Sequence, residues 1–285
     1  MPTISLNKKD VLNLIGGKIS DNLLKEKIPM LGTDLSAVTS DEINVEIFPN
    51  RPDMLSEEGF ARALSSFLGI KKGLKKYKIN KSNYKFKIDS KVKKVRPYAA
   101  TAVIKNLKLN ESVLMSLMQL QEKLHTTHGR NRKKVAMGIH DLDKINFPLR
   151  YTTKPKSFRF TPLDFNKELS IHEILEIHPK GKEFGYLFEE FKECPIWIDS
   201  NNNVLSMPPV INSDLTKVTL ETKDVFLDIT GTDKQAVEQA LNILVCALAD
   251  RGGKIYKVNQ YPDLNPKKIR IDINYINRLL GLNLK

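Results

Sequence analysis

The segment Val225-Phe226-Leu227-Asp228-Ile229-Thr230 alternates with a period of two. An extended strand there turns Val225, Leu227 and Ile229 to one face and Phe226, Asp228 and Thr230 to the other. A carboxylate and a hydroxyl two positions apart on one face can recognise a polar group or orient a water; they can equally line a wet surface. Upstream, Ser206 and Asn212 stand on either side of Pro208-Pro209. A proline pair removes ladder donors and forces an irregular turn, which aims Ser206 and Asn212 into a concavity instead of along a sheet.

Other chemistry is not written in the chain. There is no G-x-x-x-x-G-K-[ST] phosphate loop, no G-x-G-x-x-G after a strand and no G-x-S-x-G elbow, so no triphosphate, dinucleotide or nucleophile-elbow site is expected. His125 and His128 lie three apart at a helix end, but the H-E-x-x-H spacing and its glutamate are missing, so no metal is expected there. Arg130, Arg132, Lys133 and Lys134 follow directly, which suits an RNA contact or a solvated turn.

The chain has 285 residues, 41% hydrophobic and 28% charged, which predicts about two domains and excludes wholesale disorder. Ile243 to Ala249 is the most apolar stretch, far short of the ~20 residues of a membrane span. Lys8, Lys9 and Asp10 near the start argue against a secretory signal. Cys194 and Cys246 are 52 positions apart with no C-x-x-C, which points to a reducing compartment and a soluble intracellular chain. The formal net charge is +13, of which Lys71 to Arg96, with twelve bases and one acid, carry +11. Tyr77, Tyr84 and Phe86 thread through this belt. Such a belt suits a polyanion, with Lys75, Lys76, Lys93 and Lys94 as phosphate contacts, or else a self-repelling linker.

The elements that must position these groups form an α+β pattern. Asn7, Ser20 and Ser56 cap three N-terminal helices, the third with Phe60, Leu64, Phe67 and Leu68 on one face, and Ile43 to Ile47 reads as a strand. Beyond the belt, Ala100 to Ile104, Val135 to Ile139, Trp197-Ile198, Val204-Leu205, Val225 to Thr230 and Lys254 to Val258 read as strands. Helices follow Asn110, the Ser170–Glu173 capping box and Asp233. Ile269 to Ile273 reads as a strand and Tyr275 to Leu280 as a helix, the start of a further module in a chain expected to be a fragment. The division is a small module over 1–75, a basic entry segment over 76–96, a larger mixed-sheet module over 97–262, and the start of the next over 263–285.

Several strings, in one order along the chain, resemble the beta subunit of phenylalanyl-tRNA synthetase of the archaeal and eukaryotic-cytosolic type. They are Asn50-Arg51-Pro52-Asp53, Arg96-Pro97-Tyr98, Gln119 to His125, Val135 to Asp143, Val204 to Ser213 and Asp228 to Gly231. The resemblance implies that 97–262 is a tRNA-editing module. It implies a hydrolytic pocket at Asn212, Asp228 and Thr230, with Ser206 binding substrate. Trp197, where such relatives often carry an aliphatic residue, becomes a bulkier pocket wall. It further implies tRNA(Phe) as substrate, Lys75, Lys76, Lys93, Lys94, Arg130, Arg132 and Lys133 as its contacts, an alpha subunit in an alpha2beta2 heterotetramer, and a cytoplasmic setting. ATP and Mg2+ would belong to the complete synthetase, leaving no cofactor in this segment. A non-catalytic RNA-binding module, a structural piece docking the alpha chain through exposed Phe60 and Phe67, and a freestanding trans-editing deacylase are the alternatives.

Overall fold

A computed structural model describes residues 2–266 and 268–285. The chain opens with β1 (Thr3–Asn7), α1 (Lys8–Ile15), α2 (Asp21–Lys27), β2 (Asp34–Val38), β3 (Glu42–Glu46) and α3 (Glu57–Phe67). The expected caps form: the Asn7, Ser20 and Ser56 side chains each accept a backbone N–H of the first turn, and Gly16 closes α1 at φ 81°. β1 and β2 flank β3 in an antiparallel sheet. Ile4, Leu6, Ile43, Val45 and Phe60 fill its core, whereas Phe67 is exposed.

The basic stretch carries β4 (Ile79–Asn80) and β5 (Phe86–Ile88). There follow β6 (Tyr98–Lys105), α4 (Glu111–Thr126), β7 (Val135–Asp141), β8 (Leu149–Pro155), β9 (Arg159–Phe160) and β10 (Leu169–Ser170). Next come α5 (Ile171–Ile177), α6 (Pro179–Phe184), β11 (Glu193–Ile198), β12 (Val204–Met207) and β13 (Ile211–Asn212). The chain ends through β14 (Val225–Gly231), α7 (Lys234–Asp250), β15 (Lys254–Lys257) and the exposed α8 (Ile273–Leu280). Of the strand expected over Ile269 to Ile273, residues 269–272 form no ladder and Ile273 opens α8, because among the described residues no neighbouring strand meets them.

Two five-stranded sheets stack, ordered β4-β15-β6-β14-β7 and β13-β12-β11-β8-β5. α4 and α7 cover the outer face of the first with Leu117, Leu120, Leu241 and Leu244. α5 and α6 cover the second, over Ile196, Ile198 and Met207. Between the sheets lie Phe86, Val103, Tyr151, Trp197, Leu205 and Phe226. The basic stretch is stitched into both sheets: β4 pairs in parallel with β15, and β5 with β8. Its lysines point out while Phe86 and Val92 point in.

The N-terminal sheet unit docks on the larger unit through buried polar groups as well as apolar ones. Arg251, just after α7, donates to Asp10 (2.8 and 2.5 Å) and to Glu58. Glu57 accepts from Ser116 on α4 (2.5 Å) and from the Asn7 N–H (3.1 Å). Arg251→Met would leave Glu58, 6% exposed at its side chain, without its cation. Removing one partner of a buried ion pair costs about 3–5 kcal/mol. Urea denaturation should therefore show a lower midpoint for Arg251→Met, and an unchanged midpoint would contradict this docking role.

Candidate functional site

Asp228 lies at the centre of β14, where register sets Thr101 of β6 and Gly138 of β7 directly across from it. The period-two reading holds. Val225, Leu227 and Ile229 join the helix-side core, and Phe226 joins the core between the sheets. The Asp228 carboxylate therefore enters the inter-sheet space, and it is 1% exposed. Both faces of this strand are covered; neither is wet.

A carboxylate taken out of water must be repaid in hydrogen bonds. His140 Nε2 lies 2.8 Å from Asp228 Oδ2, and Ser206 donates to the same oxygen at 2.9 Å. The carboxylate accepts, so Nε2 carries hydrogen; Nδ1 in turn faces Thr216 Oγ1 at 2.8 Å. All four residues are buried. Gly138 makes the arrangement possible. A Cβ there would stand 2.6 Å from both Asp228 Oδ2 and His140 Nε2, so a side chain and the pair cannot coexist.

The second sheet supplies the facing wall. Ser206 stands opposite Trp197 on β11 and Asn212 on β13. Trp197 stacks on Tyr151 at 4.8 Å and meets Phe226 edge-on at 6.1 Å. In this inter-sheet space Thr101 Oγ1 and Trp197 Nε1 are buried with no partner among the described residues. Such orphans mark where a ligand group or an ordered water is bonded. Asn212 is half-exposed and donates to Ile139 O at 3.5 Å. It thus sits where the edge strands β7 and β13 meet.

Thr230, one step down the same face, is not bonded to Asp228. Its hydroxyl accepts from Arg96 Nε at 2.9 Å and its carbonyl from Arg96 Nη2 at 2.8 Å. Arg96 is buried, and desolvation pulls its guanidinium down to about 10 against the fields of Tyr151 and Asp228. The structure thus joins Asp228 and Ser206 directly, places Asn212 at the edge between the sheets and Trp197 in the facing sheet, and ties Thr230 to Arg96. The sequence assigned no role to His140, Thr216, Thr101 or Gly138, and it counted Arg96 with the basic belt, whereas the structure buries Arg96 against Thr230. The alternation of Ala136 and Gly138, continued one step past Ile139, would have put His140 on the Asp228 face.

Among the basic candidates, Lys76, Lys93, Lys94, Arg130 and Lys133 are exposed. Lys75 is exposed but paired with Asp250 at 2.5 Å. Arg132 turns inward instead. It donates to Pro209 O and Val210 O at 3.2 and 3.0 Å, pairs with Glu122 at 3.0 Å and lies 4.3 Å over the Phe184 ring. His128 Nε2 is 2.9 Å from Ala236 O. His125 Nε2 accepts the Met137 N–H at 2.9 Å, so the two histidines serve backbone groups of different elements. Burial, above all, pulls the His125 imidazole down to about 4. Glu122, beside His125 and Arg132, is held down to about 2.

The B3/4 domain family matches residues 82–245, which include this whole polar cluster. The phenylalanine–tRNA ligase beta subunit of Archaeoglobus fulgidus is 45% identical over all of this chain and 53% of its own length. That of Methanothrix thermoacetophila is 43% identical over all of this chain and 54% of its own. The chain therefore spans about half the length of the curated relatives it matches. A crystal structure of an N-terminal fragment of the phenylalanyl-tRNA synthetase beta subunit from Pyrococcus horikoshii superposes with a TM-score of 0.93 at 41% identity. That match covers 100% of this chain and 86% of the fragment.

The His125 shift has a signed consequence. Folding keeps the ring neutral down to about pH 4, whereas in the unfolded chain it protonates near 6.5. Stability from His125 is thus complete above about pH 6.5 and is lost as pH falls toward 4, by roughly 3 kcal/mol. His125→Gln keeps an acceptor for the Met137 N–H but cannot titrate. Its unfolding free energy, followed by urea melts between pH 7 and 4, should fall less steeply than that of the parent chain; parallel curves would contradict this.

Proposed function

Because the chain belongs to the phenylalanine–tRNA ligase beta-subunit family, we propose that its buried Asp228 cluster edits tRNA(Phe) by hydrolysing the tyrosyl ester. The observation that carries the reading is the Asp228 carboxylate, buried between two sheets and bonded to His140 and Ser206. Tyrosine and phenylalanine differ by one hydroxyl, and an apolar pocket rejects an added hydroxyl by only about 10²-fold. A site built the opposite way accepts tyrosine and leaves its own polar groups unpaired when phenylalanine enters. An ionised carboxylate has about four lone-pair sites, so Asp228 retains capacity for a phenolic O–H after His140 and Ser206 are served.

The aromatic wall of Trp197, Tyr151 and Phe226 suits a ring substrate. Entry is between the edges of β7 and β13, where the Asn212 contact with Ile139 O is the weak bond to be displaced. There the Asn212 amide is placed to hold the ester carbonyl or a water. The ester is already activated, so a positioned water suffices and no protein nucleophile is required. His140, with both ring nitrogens occupied, orients Asp228. Exposed Lys76, Lys93, Lys94, Arg130 and Lys133 hold the RNA backbone through phosphates. In the complete cytoplasmic synthetase this segment works beside an alpha subunit that supplies aminoacylation. ATP and Mg2+ act in that complex, and no residue described above is assigned to them.

Deacylation of tyrosyl-, phenylalanyl- and leucyl-tRNA(Phe) tests this directly. The tyrosyl ester should be hydrolysed and the phenylalanyl ester spared. Asp228→Ala should erase that preference, a loss of about 1.5–3 kcal/mol for one hydrogen bond to a charged group. Trp197→Leu should widen the range of esters accepted. A chain that leaves all three esters intact, alone and within the reconstituted synthetase, overturns the proposal. An Asp228→Ala chain that slows both aromatic esters equally reassigns the carboxylate from recognition to water positioning.

A further inference from the structure

Arg96 is a buried cation that no carboxylate touches among the described residues. It is 3% exposed, and among the described residues its guanidinium bonds a hydroxyl and two carbonyls: Thr230 Oγ1, Thr230 O and Lys133 O at 3.3 Å. Burying a charge among neutral acceptors is expensive. What it provides is geometry, since a planar guanidinium directs several N–H groups at once and a lysine cannot. Arg96 also accepts, at its own carbonyl, the Tyr151 hydroxyl at 3.1 Å, and Tyr151 stacks on Trp197. One residue therefore ties together the site strand β14, the facing wall and the turn that precedes β7.

That turn has an unusual build. Arg130, Asn131 and Arg132 all have positive φ, at 49°, 52° and 64°, a conformation that non-glycine residues avoid. It is fixed from inside at two points. Arg132 grips the Pro209 and Val210 carbonyls, and Arg96 grips the Lys133 carbonyl. Outside, the Arg130 and Lys133 side chains are exposed. Lys133 thus has its side chain in water and its carbonyl on Arg96, which also holds Thr230.

We propose that Arg96 is a positioning residue that sets Thr230 and the Tyr151–Trp197 wall and makes them respond to RNA docking on the turn over residues 129–134. This rests on the editing reading above. A phosphate that engages Arg130 or Lys133 acts on the Lys133 carbonyl, and Arg96 conveys the shift to Thr230. Chemistry is thereby favoured on esters that arrive attached to RNA.

The test is single-turnover deacylation of tyrosyl-tRNA(Phe) by this chain, read as a rate constant and an apparent affinity, with the Arg96 Nε–H followed by 15N NMR. Arg96→Lys should lower the rate constant at least tenfold while affinity stays within twofold. Thr230→Val should do the same, and the double variant should fall no further than either single one. Multiplicative losses, or an Arg96→Lys rate within twofold of the parent, overturn the positioning role. In the unsubstituted chain the Arg96 Nε–H resonance should move when uncharged tRNA is added, and Arg130→Gln with Lys133→Gln should abolish that movement. A resonance that stays put at saturating RNA overturns the coupling, whether or not Arg96→Lys folds. A parent chain inactive on the tyrosyl ester instead overturns the editing reading and leaves the resonance result to judge the coupling alone.

Discussion

The structure between the two sheets is organised around one buried carboxylate. Asp228 cannot be placed there unless donors meet it, and each donor constrains a different strand. His140 fixes the β7 side, Ser206 fixes β12 of the opposing sheet, and Gly138 must lack a side chain so that the pair can meet. The cluster therefore sets the registration of one sheet over the other as well as forming the candidate site. Apolar packing alone would tolerate a slide of one sheet on the other; a half-satisfied carboxylate would not. On the proposed reading, this is a reason to build such a group into a core: its surroundings hold it rigid before any substrate arrives.

Charge is handled differently at each level. Near the site, Arg96 is spent on carbonyls and a hydroxyl, and its field reaches Asp228 without contact. At the junction with the N-terminal unit, Arg251 meets Asp10 and Glu58 directly, so one cation is shared by two carboxylates where the units press together. The lysines from 71 to 94 stay at the surface while Phe86 and Val92 anchor the same stretch in the core. A segment with so many like charges holds its path because β15 and β8 lend it strand partners. The result is a basic surface fixed to a rigid scaffold, with Lys93 and Lys94 separated from Arg96 by Val95 alone.

Much of this was legible in the sequence because it is local. Side-chain caps at Asn7, Ser20, Ser56, Asn110 and Asp233 sit where the residue types place them, as does the Ser170–Glu173 capping box. The alternation of Val225 to Thr230 gave the correct faces. What was not legible depends on partners far along the chain. β1 and β2 are short and half-exposed, and β3 between them supplies their order. β8 hides Thr152 and Thr153 in its interior, a pattern that reads as polar. β4 and β5 exist only because residues some 60 to 175 positions away pair with them. Arg132 looked like one more surface base beside Arg130 and Lys133, but three successive left-handed residues swing it inward. For the candidate site, type and spacing singled out Asp228, Ser206, Asn212 and Thr230 and only the family resemblance grouped them as a pocket, while His140 was hidden at the end of a strand that seemed to finish at Ile139.

The most direct measurement is calorimetric binding of two non-hydrolysable analogues, adenosine carrying a 3′-amide-linked tyrosine or phenylalanine. If Asp228 reads the phenolic hydroxyl, the tyrosyl analogue should bind at least about tenfold more tightly, the free energy of one hydrogen bond to a charged group. Asp228→Ala should bring the two affinities together. Equal affinities in the unsubstituted chain would contradict the assignment of Asp228 as the group that tells tyrosine from phenylalanine.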